Sequence, residues 1–249
     1  MQKLFILLCV LCVIGISSCH KSGSQSGKVV LKLNPMFGSA RLNLNQVYGP
    51  TPDGKYYDFT KFYLYLSHIR LVRSDASSVE VAPWVFIGLD DSTTLTIPLA
   101  DSLGSFVGLQ FGIGVDSVQD NTDPGTITSA NLLESINDEM YWSSTLKFVF
   151  VQLEGMADTT PNPQGVSGIR YHVGTPPYYT TVPLTSSMAF SVSASGQTTL
   201  TLSTDIQRIF YGPNAINILS TPGTQTTDFP AVAQTFMSDF AQSFSLTAN

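Results

Sequence analysis

In "SFVGLQFGIGVD", residues 105–116, Val107, Leu109, Phe111, Ile113 and Val115 fall on one side of a period-two repeat, and Gly108, Gln110, Gly112 and Gly114 fall on the other. Only an extended strand separates those two sets, because successive strand side chains point to opposite faces. Similar alternation runs through 28–34, 59–73, 93–99, 145–155, 168–174, 188–194 and 198–203, broken by turn-forming stretches such as "YGPTPDGKYYD" and "DTTPNPQGVSG". Many short strands at this spacing predict an all-β chain, an immunoglobulin-like β-sandwich with one or two short accessory α-helices. The glycine face is no phosphate-binding loop, since no helix opens after it. It predicts close packing or a bulge.

The helices are expected at 129–142, with Leu132, Leu133, Ile136 and Met140 on one side, and from the capping Asp228 to Phe244, with Pro230 in the first turn. The second stripe, which includes Phe236, Met237 and Phe240, reads as core.

The first 18 residues read as a lipoprotein signal peptide: Lys3, an apolar run from Leu4 to Ile16, and Ile-Ser-Ser before Cys19. That run is too short to span a bilayer. A lipidated Cys19 would be followed by a Ser/Gly tether over 19–27 and one sandwich domain over 28–249; an ordinary signal cleaved nearby is the alternative. Cys9 and Cys12 would leave with the signal and Cys19 would carry lipid, which excludes disulfides, thiolate catalysis and cysteine-ligated zinc. Stability then rests on core burial, which about 230 residues can supply.

Charged residues make up only 12% of the chain and the net charge is −6, as in an exported, solvent-facing β protein. The 12 Lys and Arg are scattered and form no basic stripe, so nucleic acid is not an expected partner. No H-E-x-x-H, nucleophile elbow or certifiable carboxylate pair is present, and no enzymatic role is expected.

Two histidines lie in strand patterns, His68 in "FYLYLSHIRLV" and His172 in "RYHVG". Strand parity puts His172 with Arg170, opposite Ile169, Tyr171 and Val173; His68 goes with Arg70. Each fits either an exposed strand residue or a metal ligand. Asp116, Asp120 and Asp123 share a Gly/Pro loop that turn chemistry explains better than calcium.

Taken in order, "FYLYLSHIRL", "FGIGVDS", the "DPG…EMYW…FVFVQLEG" block and "YHVG" resemble the MbnP-like copper-binding family of exported bacterial proteins, over roughly residues 28–245. The resemblance implies a β-sandwich that binds copper, lipid-anchored to the outer membrane and located in the periplasm or at the cell surface. It also implies a diheme cytochrome c peroxidase-like partner that oxidises a tryptophan to kynurenine. His172 matches the family's histidine and Trp142 its tryptophan, with Met140 or Met156 as soft donors and His68 as a reserve ligand if its strand lies beside that of His172. Ser144 stands where the family usually has a second tryptophan, and His68 where it usually has asparagine. The alternative is a surface adhesion or glycan-binding sandwich without metal, using aromatics such as Tyr178 and Tyr179.

Overall fold

The structure, a computed structural model, describes residues 27–100, 102–137, 139–163 and 167–248. Cys19 and the signal segment lie outside the described residues. The strands are, in chain order, β1 (Lys28–Phe37), β2 (Ala40–Arg41), β3 (Val47–Tyr48), β4 (Tyr56–Val72), β5 (Ser78–Gly88), β6 (Thr96–Leu99), β7 (Gly104–Ile113), β8 (Val149–Asp158), β9 (Ser167–Gly174), β10 (Thr180–Val192), β11 (Gln197–Asp205), β12 (Gly223–Thr224) and β13 (Phe244–Ala248). Three short helices accompany them: α1 (Ala130–Asn137), α2 (Gln207–Tyr211) and α3 (Pro230–Ala241).

The strands form an all-β sandwich of two mixed sheets. In the five-stranded sheet, β1 pairs in parallel with β11 and antiparallel with β2 and β6, and β13 adds to β11. The eight-stranded sheet runs β10-β7-β4-β8-β9-β12, with β3 and β5 also on β4. Apolar side chains of alternate parity close the space between the sheets, as Phe37 meets Phe59 at 5.4 Å and Phe111 meets Phe244 at 5.2 Å between ring centroids. Helix α3 adds Phe236, stacked on Tyr171 at 5.0 Å, and Phe240, edge-on to Phe62 at 6.0 Å. All four rings are fully buried.

The 17 residues of β4 hold parity only piecewise. Register shifts at Thr60 and around His68 insert an extra residue each, so Phe59, Phe62, Leu64, Leu66, Ile69 and Leu71 are all buried although odd and even positions mix. His68 occupies the second bulge with φ +48, in the left-handed region that asparagine and histidine tolerate better than most side chains.

Several expected boundaries move. The first helix ends at Asn137 rather than 142, and the chain then turns, so Met140 is off the helix and Tyr141 bridges Phe148. Phe244 is not helical: it opens β13, which the sequence pattern missed, and packs on Phe240 at 4.9 Å. Asp228 does not cap α3, whose N-cap is Phe229 with no side-chain cap; its carboxylate accepts from the Gln225 and Phe229 amides in the preceding turn. Strand β5 was also missed because Pro83 interrupts its pattern. The structure places Pro83 opposite the His68 bulge, on a strand that pairs only with β4 among the described strands. In β7, Phe106 takes the buried side and Val107 is half-buried, a shift that accompanies the irregular pairing with β10. The glycine face does serve close packing: a Cβ on Gly112 would lie 2.0 Å from the Tyr179 hydroxyl oxygen.

Candidate metal centre

Alternation on the larger sheet decides which side chains leave the core. On β8, Val151 and Leu153 point inward, so Gln152, Glu154 and Met156 point to the outer face; on β9, Tyr171 inward means Arg170 and His172 outward. The β8–β9 register sets Gln152 opposite His172 and Glu154 opposite Arg170. Helix α1 and the turn after it cover part of this face. Tyr65 and Ser135 share a 2.5 Å hydroxyl contact, and Phe148 packs edge-on to Tyr65, Trp84 and Tyr141.

That cover delivers Trp142. The Trp142 amide donates to the Lys147 carbonyl at 2.9 Å, and Ser143 Oγ accepts from the amides of Thr145 and Leu146, closing a tight turn with Lys147 at φ +56. Asp120 accepts from the Phe148 amide and Asn121 from the Lys147 ammonium, which staples the turn to the loop after β7. The indole then lies against His172, ring centroids 6.0 Å apart and tilted by 48°. Ser144 is at the exposed tip of the turn.

The imidazole is held from its other side. His172 Nε2 lies 2.7 Å from Glu154 Oε1, and Glu154 also faces Lys61 at 3.9 Å, itself 3.5 Å from Glu139. Burial pushes the His172 pKa below the ordinary histidine value; the Glu154 hydrogen bond and charge oppose this without cancelling it, and Arg170 and Lys61 add to the lowering. A neutral ring donating Nε2–H to Glu154 keeps a lone pair on Nδ1, which has no hydrogen-bond partner among the described residues. Carboxylate, imidazole and open nitrogen form the arrangement by which proteins orient a metal-binding histidine.

The other candidates are placed elsewhere. Met140 is fully buried in the core, its carbonyl accepting from the Val149 amide. Met156 is on the outer face, 37% exposed, beside a cleft of about 400 Å³ that Glu154 and Arg170 also line. Four residues along β8 from Gln152, it is roughly 13 Å from the His172 row and cannot share an ion with it. The condition on His68 is not met, because β8 lies between β4 and β9. Its ring is clamped: Nδ1 lies 3.1 Å from Glu80 and Nε2 2.7 Å from Asp116. These carboxylates approach opposite edges of the ring, so they hold an imidazolium and do not converge on a cation. Among the described residues no three His, Cys, Asp or Glu side chains form a metal-holding group. Asp116, Asp120 and Asp123 act in turns, accepting from the amides of Val118 and Gln119, of Phe148, and of Gly125. Tyr178 and Tyr179 are half-buried, with Tyr179 accepting from Ser67, which leaves little of an aromatic platform for a glycan.

Burial alone would lower the His68 pKa, but hydrogen bonds and charge from Asp116 and Glu80 outweigh it and raise it. Arg70, 2.8 Å from Glu80, is the neighbouring cation. The stabilisation is therefore complete below the unfolded histidine pKa of about 6.5 and lost as pH rises through the elevated folded value. His68→Asn should fold well, because asparagine also accepts the left-handed backbone, whereas His68→Val should cost about 1–2 kcal/mol. In urea melts, the advantage of the parent over His68→Asn should shrink as pH rises above about 6.5. A constant difference would reject the charged clamp.

Glu154 and Gln152 were missed as site residues. The signal was present in "FVFVQLEG", where two polar residues share one parity of an apolar strand, but only the register shows which of them meets His172.

The fold and site define a class: an all-β sandwich that presents a carboxylate-held imidazole against an indole on the outer face of its larger sheet. The chain belongs to the MbnP family, whose sequence profile matches residues 26–229. The match stops before α3 and β13. Among solved structures the chain is similar to MbnP from Methylosinus trichosporium, with a TM-score of 0.57 over 90% of this chain and 99% of that one; at 13% identity this is a likeness of fold. No curated protein matches.

Proposed function

We propose that this chain is an exported copper-binding protein, lipid-anchored through Cys19 to the outer membrane, with a site centred on His172 and Trp142. It performs no catalysis itself and works beside a diheme cytochrome c peroxidase-like partner that can convert Trp142 to kynurenine. The MbnP family is associated with copper handling. The observation that carries the proposal is the 6.0 Å approach of the Trp142 and His172 rings, delivered by separate segments of the chain.

The donors fit a first-row ion. Imidazole nitrogen suits copper, and the Glu154 carboxylate supplies the outer hydrogen bond that fixes ring orientation. Copper bound here supplies a one-electron redox centre. The chain's own contribution is to hold Nδ1 open, to anchor Glu154 through Lys61, and to shield the site with the Trp142 turn. Oxidation of Trp142 would bring further donor atoms to the face His172 occupies.

Intact mass and copper content of protein from its native host test this together. The expected result is one copper per chain, with mass increases for acylation at Cys19 and for oxidation of Trp142. Metal-free protein of unmodified mass that also fails to take up copper in vitro would reject the proposal.

A further inference from the structure

We propose that Gln152 is a second protein donor of the His172 site and that its side-chain oxygen biases the site towards Cu(II) over Cu(I); this rests on the copper-binding function proposed above. Gln152 is fully buried in a run where Val149, Phe150, Val151 and Leu153 are equally buried. Its Nε2 donates to the Glu139 carbonyl at 3.3 Å, yet its buried Oε1 has no hydrogen-bond partner among the described residues. Turning the amide over does not repair this. It would set Oε1 against the Glu139 carbonyl oxygen, acceptor against acceptor, and leave the NH2 group without a partner instead.

Buried polar groups are almost always paired, and an unpaired one signals an absent partner or a function. The β8–β9 register identifies what Oε1 lies beside. Gln152 and His172 are directly opposed on the same face, where Cβ atoms stand about 4.5–5.5 Å apart. Two donors that each bond a first-row ion at about 2 Å can share it from such a pair. The Glu139 carbonyl fixes Gln152 by its nitrogen and Glu154 fixes His172 by Nε2, so each side chain keeps one unpartnered donor atom, Oε1 and Nδ1. The Trp142 ring lies against the second of these side chains.

The donor types set the preference. Thioether and thiolate ligands select Cu(I), while mixed nitrogen and oxygen ligands suit Cu(II). With Met140 in the core and Met156 well along β8, the side chain directly opposite the imidazole in the β8–β9 register offers an amide oxygen and no sulfur.

The test uses the mature full-length chain, stripped of metal, with Cu(II) and Cu(I) each titrated in competition with a chromophoric chelator and the Cu(II) form followed by electron paramagnetic resonance. Gln152→Met should lose about tenfold or more in Cu(II) affinity, hold or gain in Cu(I) affinity, and change the Cu(II) hyperfine splitting. Gln152→Glu, which keeps an oxygen at the same reach, should retain Cu(II) binding and covers the case in which the Met variant does not fold. Parent-like Cu(II) affinity and spectrum in Gln152→Met would overturn the inference while leaving the copper function intact, with a buried water as the simple partner of Oε1. An equal loss in both variants would also overturn it, because the amide would then matter only for packing. A parent chain that binds neither ion overturns both this inference and the function on which it rests.

Discussion

Phe240→Ala should lower the unfolding free energy by about 3–5 kcal/mol, within the range for deleting a fully buried aromatic side chain. The ring is fully buried and meets Phe62 at 6.0 Å, Phe236 at 5.9 Å and Phe244 at 4.9 Å, so it joins β4, α3 and β13 at one point. No single neighbour can fill the space it leaves, because each of the three is fixed by a different element. Against a typical total of about 5–15 kcal/mol, the loss is a large fraction of the stability. Urea unfolding should show a lower midpoint with an unchanged slope. A loss under about 1 kcal/mol would mean that α3 is peripheral and the core closes without it. The consequence reaches the site, since Phe236 stacks on Tyr171, the β9 residue next to His172.

Strand positions were legible because the period-two pattern is enforced by burial on one face: β7, β8, β9 and β11 lie close to where alternation put them. The pattern failed where the backbone departs from regularity. The bulges at Thr60, against β8, and around His68, against β7, each insert a residue, so the apolar set of β4 changes parity twice and reads as a continuous aromatic run. Pro83 hid β5 for a related reason. Helix α1 was overextended because Met140 continues its apolar spacing, whereas Met140 is buried through the turn that follows. At the site, the resemblance supplied His172 and Trp142, and parity put His172 on the outer face. Neither could supply the register that opposes His172 to Gln152, or the turn that carries Trp142 across, because both are long-range contacts. The asparagine that the resemblance implies at position 68 would suit the left-handed φ that His68 adopts in the bulge.

His172→Ala should remove copper binding almost entirely, a loss of more than about 100-fold, because it deletes the one imidazole of the site; Glu154→Gln should lose about 10- to 100-fold, the range for an outer partner of a metal-binding histidine. The two effects have different origins. In Glu154→Gln the ring remains, but its Nε2–H faces a neutral amide that can also turn its NH2 group inward, so ring orientation and ligand basicity both weaken. In His172→Ala the Glu154 carboxylate keeps Lys61, 3.9 Å away, as its remaining charged partner. The fold should therefore survive, since the site is on the outer face and the core side chains of β9, Ile169, Tyr171 and Val173, are untouched. Circular dichroism should be unchanged in both variants while chelator competition separates them. If His172→Ala binds copper as tightly as the parent, Trp142 and His172 meet only as packed rings, and the histidine's bond to Glu154 is structural.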